Sequence, residues 1–230
     1  MSMYKKIGVI IADNDEYAPF LKAIEKYSPV STPVLGKNGH TYTVGDLTVC
    51  ALNCGIGKAN AAAGAAALIM SGCEAILNFG LSGGISGVKR GETVLGNAFL
   101  EHDFDLTGLG YAPCQKPGQE PVIKGNKALC DLFERVLPGI KRGTLATGDC
   151  FVSNTALRNS LRDNFGAIAC DMETAAIAGI CKSAGIAFAC LRKISDDAGE
   201  SAADSYKEMN TNGNISLCEA VLQVIDIIKE

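Results

Sequence analysis

Short apolar runs alternate along this chain with longer stretches in which apolar residues recur every three or four positions. The runs are Ile7 to Ala12, Glu74 to Phe79, Thr93 to Leu100, Gly143 to Thr147, Gly166 to Cys170 and Ile186 to Ile194. Near-continuous apolar runs of this kind fill strands buried on both faces, so they predict a parallel sheet covered by helices. The stretches between them, Glu16 to Tyr27, Ala59 to Met70, Asn126 to Leu137, Asn154 to Asn164, Thr174 to Ala184 and Asn214 to Lys229, read as helices. Phe20, Leu21 and Ile24 share a face of the first, and Leu217, Val221, Val224, Ile225 and Ile228 share a face of the last. Thr41 to Val44 and Leu47 to Leu52 flank Gly45-Asp46 as a hairpin would. No period repeats. The expected fold class is α/β: one three-layer α/β/α domain over residues 1–230, with a mostly parallel mixed central sheet.

Ligands of such sheets bind beyond the carboxyl ends of the strands. Several polar positions fall there: Glu16, a glycine-rich stretch from Gly80 to Gly87 that reads as a turn, Phe151, Asp171-Met172-Glu173, and Ser195-Asp196. Glu173 has a plainer reading as a carboxylate in the first turn of a helix, where the macrodipole favours it, and Asp196 has one as a strand-end cap. The acidic cluster at residues 13–16 lacks the glycine and the distal glutamate of a calcium loop, so Asp13 and Asp15 read as a solvated turn. Cys54-Gly55-Ile56-Gly57-Lys58 is too short for a phosphate loop, and the first strand does not lead into Gly-x-Gly-x-x-Gly. The long polar stretch from Glu101 to Gln119 reads as a functional or interface loop.

Composition narrows the partners. With 230 residues, 47% hydrophobic, and a net charge of −4, the chain has a large core and no general attraction to nucleic acid or an anionic membrane. A small molecule is the expected partner. No apolar run approaches the roughly 20 residues of a spanning helix, and Met1 to Lys6 shows no signal-peptide pattern, so a cytoplasmic location is expected. Ten cysteines sit mostly in apolar segments, as Cys50, Cys170, Cys181, Cys190 and Cys218 do, and read as reduced core residues. There is no Cys-x-x-Cys pair, and His40 and His102 are far apart in sequence, so neither a metal nor any other cofactor is expected.

Taken in order, Ile7-Gly8-Val9-Ile10 with Glu16, Cys54-Gly55-Ile56-Gly57-Lys58, the glycine stretch after Asn78, His102-Asp103-x-Asp105-x-Thr107-x-x-Gly110-Tyr111, Gly148-Asp149-x-Phe151, Met172-Glu173-x-x-Ala176 and Ile194-Ser195-Asp196 carry a family resemblance over nearly the whole chain. The sequence resembles the 5'-methylthioadenosine/S-adenosylhomocysteine nucleosidases of the purine nucleoside phosphorylase superfamily. The resemblance implies hydrolysis of the N-glycosidic bond of 5'-substituted adenosines by a homodimer. It assigns catalysis to Glu16, which would activate water, and Asp196, which would protonate the adenine. Substrate contacts would come from Ile56, Leu81, Ser82, Phe151, Val152, Asp171, Met172, Glu173, Ser195 and Tyr206. Leu106, Leu109 and Tyr111 would complete the tail pocket of a partner subunit. The chemistry itself asks for such residues: breaking a purine glycosidic bond needs an acid at the base, a carboxylate at the sugar hydroxyls and an activated water.

Two departures stand out. The family usually has serine or threonine where Leu81 stands, and an apolar residue where Asp13 stands. Phosphate in place of water would give a phosphorylase, but Asn78 and Glu16 occupy places where the phosphorylase pattern has arginines, and a carboxylate repels phosphate. A non-catalytic nucleoside binder would need these acids lost or displaced.

Overall fold

The computed structural model describes residues 3–209 and 213–230; residues 1 and 2, part of the opening segment read above, lie outside it. In chain order the first half holds β1 (Lys6–Ile11), α1 (Asn14–Ile24), β2 (Val30–Ser31), β3 (Gly39–Val44), β4 (Leu47–Asn53), α2 (Lys58–Met70) and β5 (Ala75–Gly84). The second holds β6 (Thr93–Glu101), β7 (Ile123–Lys124), α3 (Lys127–Val136), β8 (Lys141–Thr147), α4 (Thr155–Phe165), β9 (Ala167–Asp171), α5 (Thr174–Ala184), β10 (Ala187–Asp196), α6 (Ala202–Met209) and α7 (Gly213–Ile228).

The three layers follow from the alternation of side chains along the strands. Ile7, Val9 and Ile11 of β1 face a core built with Phe20 and Ile24 of α1, Leu129 and Phe133 of α3, and Leu217, Val221, Val224, Ile225 and Ile228 of α7. Ile10 faces the opposite core, with Ala61, Ala65 and Leu68 of α2 and Ala175, Ile177, Ala178 and Cys181 of α5. The alanines let α2 sit close. At Gly8 on that face, an added Cβ would lie 2.6 Å from Ile76 Cδ1 and 2.8 Å from Leu68 Cδ1. Leu21, expected on the buried face of α1, is only partly buried.

The strand order is β10-β6-β8-β9-β5-β1-β4-β3-β2, and β10 also pairs with β5. That last pairing closes β5, β9, β8, β6 and β10 on themselves, and β1 to β4 extend from β5 as an open wing. Among the described residues half of the ten pairings are antiparallel, so the sheet is more evenly mixed than its apolar runs indicate. Apolar content reports burial on two faces, and strand direction does not alter that burial.

The glycine-rich stretch differs most from its expectation. Gly80 to Gly84 is the second half of β5, not a turn. Strand β5 pairs with β1 up to Asn78, follows β10 to Gly83, and joins β9 at Gly83 and Gly84. The glycines serve close approach there, since an added Cβ at Gly80 would lie 2.5 Å from Arg192 Nη1 and 2.8 Å from the Glu16 carboxylate. Helix α6 and the short strands β2 and β7 have no counterpart in the sequence reading.

Candidate active site

The end of β5 is where the polar groups meet. Asp13 caps α1, its Oδ1 accepting from the Asp15 N–H at 2.9 Å, so it is part of the helix start and not a free turn residue. One turn on, Glu16 points inward and is 5% exposed, with Oε1 accepting from the Leu81 N–H at 2.7 Å. Burial raises its carboxyl from 4.5 to about 7; Arg192 and the Leu81 N–H pull the other way, and Glu173 and Asp13 add to the rise.

Glu173 is the N-cap residue just ahead of α5, but its side chain makes no capping bond. Asp171 does that work: its Oδ1 accepts from the Glu173 and Thr174 N–H groups, both at 3.0 Å, and from Thr147 Oγ1 at 2.7 Å. The other oxygen of Asp171 takes the Thr174 hydroxyl and faces Arg192 Nε at 3.4 Å. Asp171 lines the cavity, but protein donors occupy its carboxylate. Glu173 is left free of the helix and reaches across to accept from the Gly57 N–H at 3.0 Å, with Arg192 Nη2 at 3.6 Å. Burial raises its carboxyl too, with Arg192 as the main opposing influence.

Arg192 is the residue that the sequence reading missed. It lies within β10 and is 1% exposed, and its Nη2 donates to Asn78 Oδ1 at 2.9 Å and to Thr174 Oγ1 at 2.7 Å. A charge inside an apolar strand is a usable signal, because a buried cation needs carboxylates around it. Asp171 and Glu173 supply them.

Asp196 ends β10 and is 1% exposed. Its Oδ1 accepts from the Ala198 N–H at 2.8 Å and its Oδ2 from Ser195 Oγ at 2.7 Å. Burial raises its carboxyl above the usual carboxylate range, against the pull of those two hydrogen bonds. An added Cβ at Gly83 would lie 3.0 Å from Asp196 Oδ1. Glu16 binds at Leu81 and Asp196 packs at Gly83, so the two acids meet β5 at points two residues, roughly 7 Å, apart along the strand.

Between them lies a cavity of about 410 Å³. Glu16, Ile56, Leu81, Ser82, Phe151, Val152, Asp171, Met172, Glu173, Ser195, Asp196 and Tyr206 all line it, as do Asp13, Arg192 and Lys207. Phe151 is 46% exposed, and its ring meets Tyr206 edge-on, with centroids 5.8 Å apart. Ser82 Oγ is buried without a hydrogen-bond partner among the described residues, so a hydroxyl is available beside Leu81. Leu106, Leu109 and Tyr111 do not line the cavity of their own chain. They sit on the 101–119 loop, with Leu109 74% exposed. Among the described residues no cluster of three or more potential ligands could hold a metal. All ten cysteines are free thiols, and of these Cys150 alone is exposed.

The Phosphorylase superfamily model matches residues 6–226. The chain belongs to that superfamily. Within it, the chain is 31% identical to a 5'-methylthioadenosine/S-adenosylhomocysteine nucleosidase of an Exiguobacterium species, over 95% of this chain and 97% of the relative. Among solved structures it superposes on the Neisseria meningitidis nucleosidase of that name in complex with methylthio-immucillin-A, with a TM-score of 0.89 at 26% identity over 97% and 99% of the two chains. It also superposes on a futalosine hydrolase of Helicobacter pylori, with a TM-score of 0.92 at 24% identity over 98% and 99% of the chains. Proteins that share this fold thus carry differently named activities, so the fold alone does not name the substrate.

Proposed function

We propose that this protein hydrolyses the N-glycosidic bond of 5'-substituted adenosines, 5'-methylthioadenosine and S-adenosylhomocysteine among them, releasing adenine and the 5-thio-ribose. The observation that carries this reading is the pair of buried carboxyls, Glu16 and Asp196, at separate points of one cavity. Asp196, protonated, donates to N7 of the adenine as the N9–C1' bond breaks, so the departing base does not leave as an anion. Glu16, ionised, takes a proton from the water that attacks C1'. A base with its pKa near 7 suits that task at neutral pH. Glu173 accepts from the ribose 2' and 3' hydroxyls, and Met172 packs on the sugar. Phe151 stacks on the base, and the Val152 backbone bonds its edge.

Water, and not phosphate, fits the charge around Glu16. Arg192 faces Asp171 and Glu173 at ion-pair distance and lies in the field of Glu16, so three carboxylates surround one cation. A phosphate dianion would meet net negative charge there. The backbone N–H of Leu81, whose side chain replaces a hydroxyl, serves Glu16, and the unpartnered Ser82 hydroxyl supplies polarity next to it.

The cavity mouth between Ile56 and Phe151 is open, both being about half exposed. In a homodimer the partner's 101–119 loop, with Leu106, Leu109 and Tyr111, closes that mouth over the 5' substituent. The test of the activity is product analysis with and without phosphate. Free 5-thio-ribose in both conditions supports the hydrolase; strict phosphate dependence with a sugar 1-phosphate product refutes it.

A further inference from the structure

Resting on the adenine-nucleosidase reading, we propose that Asp13 and Lys207 select a 5' substituent that carries both an ammonium and a carboxylate, so that an amino-acid thioether is preferred over a plain alkylthio group.

The cavity is lined mostly by apolar surface, so charged side chains on its wall stand out. Asp13 and Lys207 both line it, with opposite charge. Asp13 spends Oδ1 on the α1 cap, and among the described residues its Oδ2 meets only the Tyr206 hydroxyl, at a long 3.5 Å. Neither Asp13 nor Lys207 has an ion-pair partner within 4 Å among the described residues, so the two charges border one cavity without neutralising each other. A ligand that carries an ammonium and a carboxylate on one carbon offers a charge to each; a methylthio group offers a charge to neither.

The position of Lys207 is set by the fold. Ala203, Tyr206 and Lys207 are spaced three and four apart on α6 and present one face to the cavity. Arg90 pins that helix: its Nη2 donates to Ser205 O at 2.7 Å, its Nη1 pairs with Glu208 at 3.0 Å, and its Nε donates to Ser195 O at 3.0 Å. The same side chain therefore ties α6 to the strand end that carries Asp196. Asp13 is equally fixed, one helical turn before Glu16. Its carboxylate is half-buried beside the Tyr206 hydroxyl, where an ammonium gains more from it than in open water.

The experiment compares kcat/KM for S-adenosylhomocysteine, 5'-methylthioadenosine and adenosine in the wild type, Asp13→Asn and Lys207→Met. The expected result is a wild-type preference for S-adenosylhomocysteine that drops about tenfold relative to methylthioadenosine in Asp13→Asn, and by a smaller factor in Lys207→Met, where the charge is more exposed. Raising the salt concentration should narrow the wild-type preference in the same direction. An unchanged ratio in both variants overturns the proposal, as does a wild-type preference for adenosine that Asp13→Asn removes. Binding of the same ligands to Glu16→Gln, with and without Asp13→Asn, separates this inference from the activity on which it rests. Tail-dependent binding without adenine release from the wild type keeps the recognition and rejects the hydrolase. Adenine release with tail-independent binding does the reverse.

Discussion

Glu16 and Asp196 are both carboxyls whose protons are held more tightly by burial, yet the proposed reaction needs them in opposite charge states. With Glu16 at about 7, kcat/KM should rise as that carboxyl loses its proton, and it should fall where Asp196, whose carboxyl burial raises, gives up its own. A pH profile of kcat/KM that is flat from about pH 5 to 8 would contradict the assignment. Glu16→Gln should lower single-turnover rates by about 10²–10⁴ while binding of a non-hydrolysable analogue persists, and Asp196→Asn should cost a similar factor. The same shift has a consequence for stability. The folded state keeps a proton on Glu16 that the unfolded chain releases near 4.5, so the associated stability is full below about 4.5 and lost as pH rises through about 7. Glu16→Gln escapes that loss. Its melting temperature should exceed that of the wild type at about pH 8 and match it at about pH 4; melting curves at the two values check the sign. Arg192→Met should act the other way, because it leaves Asp171 and Glu173 buried with no cation. The expected cost is about 3–5 kcal/mol by urea denaturation.

Strand β5 is the element on which these groups depend, and its glycines are the reason that they can meet. Gly80→Ala would put a methyl against both Arg192 and Glu16, so one of the two must move. The expected outcome is a kcat reduced by about 10² with the circular dichroism spectrum retained, since small displacements of reacting groups are costly. Asn154→Ala provides a contrast. Asn154 caps α4 by accepting from the Ala156 and Leu157 N–H groups, away from the cavity, and its loss should cost about 1 kcal/mol without changing KM. Helix ends carry local signals of this kind: Asn126 and Asn154 cap the starts of helices, while Gly185 and Gly166, the latter read above as the start of a strand, end them in the left-handed conformation. The glycines of β5 carried no such signal. A glycine permits a turn and a close approach equally well, and only the groups packed against it decide which.

The assembly is what the 101–119 loop bears on. If the partner's loop closes the tail pocket, Leu109→Asp should yield a monomer by sedimentation and raise KM for alkylthio substrates more than for adenosine. An unchanged oligomer with unchanged KM would remove the loop from the site. Glu16, Glu173 and Asp196 could be picked out from the chain because strand–helix alternation gathers strand ends at one edge, and that alternation is a local property of the apolar pattern. The paired layers of α1, α3 and α7 against α2 and α5 follow from the same period, read on two faces of one sheet. Three things were decided only by packing in three dimensions. One is the closure of β5 onto β10, which depends on pairing between residues more than a hundred positions apart. Another is the division of labour at the head of α5, where Asp171 takes the capping bonds and so frees Glu173 to reach Gly57. The last is the placing of Arg192 among the acids: hydrophobic periodicity encodes how deeply a strand is buried, whereas the partners of a charge within it come from distant segments that only the closed sheet brings within reach.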